Sequence, residues 1–232
     1  MIIAEIQKFS LIDFPGKTCA TIFTQGCNFR CRYCHNPETW HPSREQKSIP
    51  LDSVYNFLKS RVGKLDAVTI TGGEPTIHSD LIEVIKKIKK MGLLVKLDTN
   101  GSNTDTLITI IKERLVDYIA MDVKAPLDKD KYAKIIGWPI SPNILMESIK
   151  IIIDSRINHE FRTTIAKSLT TKEDLCEIAK TIKGAENYYL QKFVPSQKIN
   201  DKKLLNDTSY PYDDLQRLAD EFLKFVKNCK VR

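Results

Sequence analysis

Three cysteines, Cys27, Cys31 and Cys34, stand in the run Gln25-Gly26-Cys27-Asn28-Phe29-Arg30-Cys31-Arg32-Tyr33-Cys34-His35-Asn36-Pro37. The spacing is C-x3-C-x2-C, with no fourth cysteine close by. Thiolates are soft ligands that select iron–sulfur clusters or zinc. A closed structural site of either kind takes four protein ligands. Three thiolates on a four-iron cluster therefore leave one iron open to a small molecule, which suits a reactive centre better than a staple. Two other readings stay open: zinc completed by His35 or His41, and three small buried hydrophobes. Gly26 ahead of the loop and Tyr33 inside it suit a chain wrapped around a bulky cluster.

Such a loop needs a scaffold, and the pattern around it supplies one. Short β-branched runs alternate with amphipathic helical stretches, which predicts parallel strands with helical crossovers. Strands are expected at 18–24, 67–71, 94–98, 118–123, 160–166 and 188–194. Helices are expected at 51–61, 81–91, 104–114, 143–155, 172–183 and 212–227. Ser79 and Asp80 can cap the second helix and Gly92 ends it. The stretch 126–142 reads as a long connection. Six such units fit an α/β fold in the form of an open, partial (β/α)6 TIM-like barrel of a single domain; a full eight-fold barrel usually takes more residues. A doubly wound open sheet is the second architecture. Residues 1–195 are expected to form the partial barrel, and 196–232 a loop and closing helix of the same domain.

The remaining motifs fall where parallel sheets build their sites, at the carboxyl ends of strands. The cysteine loop follows the first expected strand, and Thr71-Gly72-Gly73-Glu74-Pro75 follows the second. Asp98-Thr99-Asn100-Gly101 ends the third, and Asp122-Val123-Lys124 the fourth. Glycines at 72 and 73 let the backbone approach a ligand, strand-edge carbonyls can accept from an ammonium group, and Glu74 would support the loop. Acids at two neighbouring strand ends are costly without a cation. Strand alternation points Gln191, on the sixth strand, toward the same place. Each motif also has a plain reading as turn, cap or surface charge, but four of them on one edge exceed what turns alone require.

Cys27-x3-Cys31-x2-Cys34 with Gly72-Gly73-Glu74-Pro75 downstream resembles the radical S-adenosylmethionine superfamily. The continuation Cys34-His35-Asn36-Pro37 resembles its glycyl-radical-enzyme activating enzymes. The opening Lys8-Phe9-Ser10-Leu11-Ile12-Asp13-Phe14-Pro15-Gly16-Lys17 resembles the longer type of anaerobic ribonucleoside-triphosphate reductase activating protein. The resemblance implies a [4Fe–4S] cluster on the three thiolates and S-adenosylmethionine at its open iron. One electron would cleave the sulfonium to give methionine and a 5′-deoxyadenosyl radical, which takes hydrogen from a glycine of the reductase. It implies that Tyr33, Gly72, Gly73, Glu74, Pro75, Asp98, Thr99, Asp122 and Lys124 meet the cofactor, with a monovalent cation beside the acids; Gln191 is expected there by strand alternation alone. It implies that Asp13 and Arg162 hold the partner's glycine-bearing loop, and that flavodoxin or ferredoxin supplies the electron. The chain departs from the formate-lyase activators in two places. Asp13-Phe14-Pro15-Gly16 stands for their Asp-Gly-Pro-Gly, and Gln191 lies on a strand where they carry a histidine. A structural ion pair is an equal reading for Arg162.

Composition narrows the alternatives. A hydrophobic share of 42% and a charged share of 28% are those of a soluble globular protein. No apolar run reaches membrane-span length, and Met1-Ile2-Ile3-Ala4-Glu5 lacks the pattern of a secretory signal. A reducing cytoplasm is therefore expected, and clustered cysteines there read as metal ligands. The net charge of +7 is spread over scattered lysines, which favours a solvated surface over nucleic-acid binding. Cys19, Cys176 and Cys229 read as structural or incidental, with Cys229 on a frayed end. His78 and His159 read as core or solvated residues, and Trp40 and Trp138 as packing. Other targets are pyruvate formate-lyase, another glycyl radical enzyme, or a small molecule. A metal-binding module without catalysis is the reading from a different class.

Overall fold

Parallel strands buried on both faces read as nearly continuous apolar runs, and Ala67-Val68-Thr69-Ile70 and Tyr118-Ile119-Ala120-Met121 are such runs. The structure is a computed structural model and describes residues 1–40 and 48–232. The strands are β1 (Ile3–Ser10), β2 (Cys19–Thr24), β3 (Ala67–Gly72), β4 (Leu94–Thr99), β5 (Tyr118–Asp122), β6 (Asn158–Ile165), β7 (Asn187–Lys192) and β8 (Asn228–Val231). Their order in the sheet is their order in the sequence. The helices are α1 (Leu51–Lys59), α2 (Leu81–Lys89), α3 (Thr104–Lys112), α4 (Lys129–Ile136), α5 (Pro142–Asp154), α6 (Lys172–Thr181) and α7 (Tyr212–Phe222). The chain divides into two compact units. The first holds Met1–Asn28, Glu38–Thr99 and Asp105–Ile119; the second holds Phe29–Pro37, Asn100–Thr104 and Ala120–Arg232.

In the first unit β1 runs antiparallel to β2, while β2, β3 and β4 are parallel. Thr21 pairs with Thr69 and Thr69 with Lys96. The two-residue period of a strand then puts Cys19, Thr21 and Phe23, Thr69 and Thr71, and Lys96 and Asp98 on one face. Ile22, Val68, Ile70, Val95 and Leu97 take the other and are fully buried. Helix α2 buries Leu81, Val84, Ile85 and Ile88 at helical spacing, each worth about 1.5–3 kcal/mol relative to exposure. Its lysines lie on the opposite side, and Lys89 reaches Asp117 at 2.6 Å. Asp117 in turn accepts from the Val95 amide at 2.7 Å. Asp80 occupies the N-cap position but makes no side-chain cap. Its carboxylate takes the ammonium of Met1 instead.

In the second unit β6, β7 and β8 are parallel, with Arg162 opposite Tyr189, Thr164 opposite Gln191 and Tyr188 opposite Cys229. Tyr188 is fully buried. Its hydroxyl donates to Thr163 at 2.9 Å, and Thr163 donates to the Val123 carbonyl at 2.7 Å. Helix α7 closes over this layer with Leu215, Leu218, Ala219 and Phe222. A capping box of Thr171 and Asp174 starts α6.

Three elements differ from the sequence reading. Strands β1 and β8 flank the six expected ones, so Cys229 lies buried in a strand and not on a frayed end. The four residues of β8 carry Asn and Lys, poor strand formers, and are strand because β7 offers them an edge. The connection at 126–142 contains α4, capped by Asp128 and closed by Gly137 at φ 63°. Trp138, expected to pack, is 52% exposed.

Candidate functional site

The first unit gathers the glycine motif, the end of β4 and the start of the cysteine loop. A side chain at Gly72 would stand 2.3 Å from the Thr24 nitrogen, and one at Gly73 2.0 Å from the Gly26 carbonyl oxygen and 3.3 Å from the Cys27 Cβ. The close approach these glycines permit is thus made by the chain's own backbone. The Gly73 amide donates to Thr24 at 2.9 Å and the Glu74 amide to Gly26 at 2.8 Å. Glu74 is 1% exposed. Its Oε1 accepts from the Thr76 amide at 3.1 Å, the Thr76 hydroxyl at 2.6 Å and the Thr99 hydroxyl at 2.8 Å. One buried carboxylate therefore ties the end of β3 to the end of β4. Pro75 opens the short 3-10 turn that follows. Asp98 accepts from Lys96 at 2.6 Å and from the Thr71 hydroxyl at 3.2 Å. Asp13 accepts from the Thr21 hydroxyl at 2.7 Å, while Leu11 and Ile12 beside it are exposed.

The second unit holds the rest of the cysteine loop in a backbone clamp. The last carbonyls of a helix lack intrahelical partners. At the end of α4, Ile136 and Ile135 receive the Arg30 and Arg32 amides at 2.7 and 3.0 Å. Gly137 is required here, since a side chain would stand 2.7 Å from the Arg30 carbonyl oxygen. On the other side Asn200 and Asp201 donate their amides to the carbonyls of Cys34 and Arg32 at 3.1 and 2.9 Å. The Asn200 side chain donates to the Cys31 carbonyl at 3.2 Å, and Arg32 pairs with Asp201 at 2.7 Å. Sequence reading missed Asn200 and Asp201. Their link to the loop spans 169 positions, and no local pattern announces it.

Tyr33 and the end of β5 form the polar part of this unit. Asp122 accepts from Arg162 Nε at 2.7 Å and from Lys124 Nζ at 3.0 Å. Burial pushes the Asp122 carboxyl up, but Arg162 and Lys124 outweigh it and hold the group well below the usual carboxylate range. Burial disfavours the Lys124 charge, yet Asp122 keeps it well above the ordinary lysine value. The Lys124 ammonium lies 5.9 Å from the Tyr33 ring centre. Burial pushes the Tyr33 phenol far up, so it stays protonated. Glu160, 1% exposed, pairs with Arg162 at 3.8 Å and Arg232 at 3.3 Å. Arg162 is therefore placed as an ion-paired residue. Gln191, half-buried, shares its strand face through the register of β6 and β7.

None of the six cysteines is in a disulfide. Cys19 is buried and its thiol is raised by burial; burial pushes Cys229 up to about 12. These two are inert packing groups. Cys176 lies on α6. His159 is a core residue whose ring meets the Ile157 carbonyl at 2.8 Å. Among the described residues no three His, Cys, Asp or Glu side chains converge as the ligands of one ion would. His35 is engaged elsewhere, with Nε2 2.8 Å from the Val194 carbonyl and its ring stacked on Phe193. His41 lies outside the described residues. The donor set, three soft thiols on a loop clamped through its backbone, fits an iron–sulfur cluster. No helix among the described residues is long and apolar enough to cross a membrane.

Comparison with known proteins places these features. The radical SAM superfamily model matches residues 21–183. A Methanocaldococcus jannaschii protein, provisionally named a glycyl-radical enzyme activating enzyme, is 32% identical over all of this chain and 95% of its own length. The pyruvate formate-lyase-activating enzyme of Staphylococcus epidermidis is 26% identical over 95% of this chain and 91% of its own. The crystal structure of Streptococcus suis SuiB bound to S-adenosylmethionine superposes with a TM-score of 0.70 at 15% identity. It covers 90% of this chain, which spans about half (48%) of that larger protein. The likeness is one of fold, the open α/β barrel expected from the strand and helix pattern.

Proposed function

This chain belongs to the radical S-adenosylmethionine superfamily, and within it to the glycyl-radical-enzyme activating enzymes, and from that premise we propose that it installs a glycyl radical on anaerobic ribonucleoside-triphosphate reductase. It is an enzyme whose cofactors are a [4Fe–4S] cluster and S-adenosylmethionine. Together these supply the one-electron chemistry that ends in loss of a hydrogen atom from a glycine Cα. Cys27, Cys31 and Cys34 would hold the cluster. The strand-edge loop of Gly72 and Gly73, which Glu74 and Pro75 keep fixed, would receive the cofactor's ammonium group. Asp98, Thr99, Asp122 and Lys124 bind its polar parts, and Tyr33 and Gln191 line the pocket. Asp13 and Arg162 face the partner's loop, and a flavodoxin or ferredoxin delivers the electron.

The observation that carries this reading is the cysteine loop itself. The Arg30 and Arg32 amides go to α4 and the Cys31, Arg32 and Cys34 carbonyls to Asn200 and Asp201, so main-chain bonds hold the loop and none of its cysteines is in a disulfide. The choice of the reductase rests on the resemblance of Lys8–Lys17; the staphylococcal relative favours pyruvate formate-lyase as the second reading.

The test is anaerobic reconstitution with iron and sulfide, chemical reduction, and an assay for 5′-deoxyadenosine. The reduced enzyme is then mixed with each candidate partner and examined by EPR. Product that disappears in Cys31→Ala, with a glycyl doublet on the reductase, is the expected result. A doublet on formate-lyase alone shifts the target, and product formation by Cys31→Ala overturns the ligand assignment.

A further inference from the structure

Lys96 is an unusual residue for its place. It stands in register with Thr69, and Thr69 with Thr21, on the polar face of β2, β3 and β4, and it is 3% exposed. A buried ammonium is costly unless it is paired. Lys96 reaches two residues along its own strand to Asp98, at 2.6 Å. The Thr71 hydroxyl donates to the other Asp98 oxygen.

This arrangement leaves poor terms for the monovalent cation that the family resemblance implies beside Asp98, Thr99 and Asp122. Both oxygens of Asp98 already receive donors, one of them charged. The Thr99 hydroxyl is directed at Glu74. Within its own unit, Asp122 receives Arg162 on one oxygen and Lys124 on the other. A bare cation here would have to displace an ammonium or add a second positive charge to a satisfied carboxylate. The residues present do not fit the ion.

We propose that Lys96 is a positioning residue whose ammonium does for Asp98 what a bound monovalent cation would do, so that this protein binds S-adenosylmethionine independently of potassium and sodium. The proposal rests on the reading that Asp98 belongs to the S-adenosylmethionine pocket.

The experiment compares potassium, sodium and tetramethylammonium chlorides at constant ionic strength. Tetramethylammonium is too large and too weakly coordinating to replace a bound cation. Two quantities are read: the affinity of the reconstituted protein for S-adenosylmethionine, by equilibrium dialysis, and the sodium-23 NMR linewidth with the protein, which reports bound sodium. For the native chain the affinity should change less than about twofold between salts, with no added linewidth. Lys96→Met should bind about tenfold more weakly in tetramethylammonium, recover in potassium or sodium, and broaden the sodium line. Lys96→Arg, which keeps the charge, should behave as native, and it serves if the Met variant does not fold. A native chain that loses about tenfold in tetramethylammonium, or that broadens the sodium line, overturns the proposal. So does a folded Lys96→Met with native affinity in every salt. Absence of S-adenosylmethionine binding in all three salts overturns the pocket reading itself, an outcome distinct from salt-dependent binding.

Discussion

At position 73 a side chain has nowhere to go, because the volume it needs holds the Gly26 carbonyl and abuts the Cys27 Cβ. The Gly-Gly-Glu-Pro run reads in the sequence as a loop that a ligand approaches, but the backbone approach it makes possible is not legible there. Glycine suggests approach to a ligand, and the approach found is between the end of β3 and the backbone that leads into Cys27. No sequence pattern records a meeting of residues so far apart in the chain. Gly73→Ala should therefore act on the cluster and not only on the cofactor. Overpacking of this kind costs about 1–3 kcal/mol, and the displaced backbone carries a cluster thiol with it. Native-like circular dichroism with iron content after reconstitution well below that of the native chain is the expected outcome. Full iron content would show that the loop can shift without moving Cys27. Glu74 carries the opposite lesson. It reads as a loop support, and the structure gives it that place, with three hydrogen bonds to Thr76 and Thr99.

Among the elements, α4 and the segment at 199–201 are the ones that hold the second half of the cysteine loop. The helix was open to reading: Asp128 stands at its start, Tyr132, Ile135 and Ile136 recur at helical spacing, and Gly137 follows. Nearby prolines and a run of alternating Lys and Asp make the stretch look like a connection. The 199–201 segment was not open to reading, since its partners are main-chain groups of a distant loop. β3 and β5 were legible because burial on both faces writes itself as the apolar runs 67–70 and 118–121; β1 and β8 were not, because an edge supplied by a neighbour leaves no such mark. Removing the side-chain part of the clamp tests its role. Asn200→Ala loses the hydrogen bond to the Cys31 carbonyl, a loss of about 1 kcal/mol in stability. Its larger effect should be on cluster lifetime. On exposure to air, the iron–sulfur absorbance of the variant should decay several-fold faster than that of the native protein. Equal decay would assign the hold to α4 and the backbone bonds alone.

For the molecule as a whole, metal is a ligand of the folded state. No disulfide ties the cysteines together, and main-chain hydrogen bonds hold the loop. Any group that binds the native form and not the unfolded one stabilises it by mass action. Reconstitution should therefore raise the melting temperature, by about 2–4 °C for each kcal/mol of stabilisation in a chain of this size. Cys31→Ser should melt like the iron-free native protein with or without iron and sulfide. An equal rise in the variant would mean that iron acts elsewhere. Cys19 and Cys229, buried with raised thiol pKa values, are not available as substitutes. The burial of Cys19 and Cys229 agrees with the structural reading of these cysteines from their isolated positions in the sequence.

The clamp on the cysteine loop also has an order in time. Cys31 and Asn200 are 169 positions apart, and ribosomes add about 5–20 residues per second. A nascent chain thus carries its three thiols for roughly ten to thirty seconds before Asn200 is made. During synthesis the loop lacks that side of its hold, reachable by iron-delivery factors and by oxidants alike. The same protein, once complete, shows them a loop already fastened on that side.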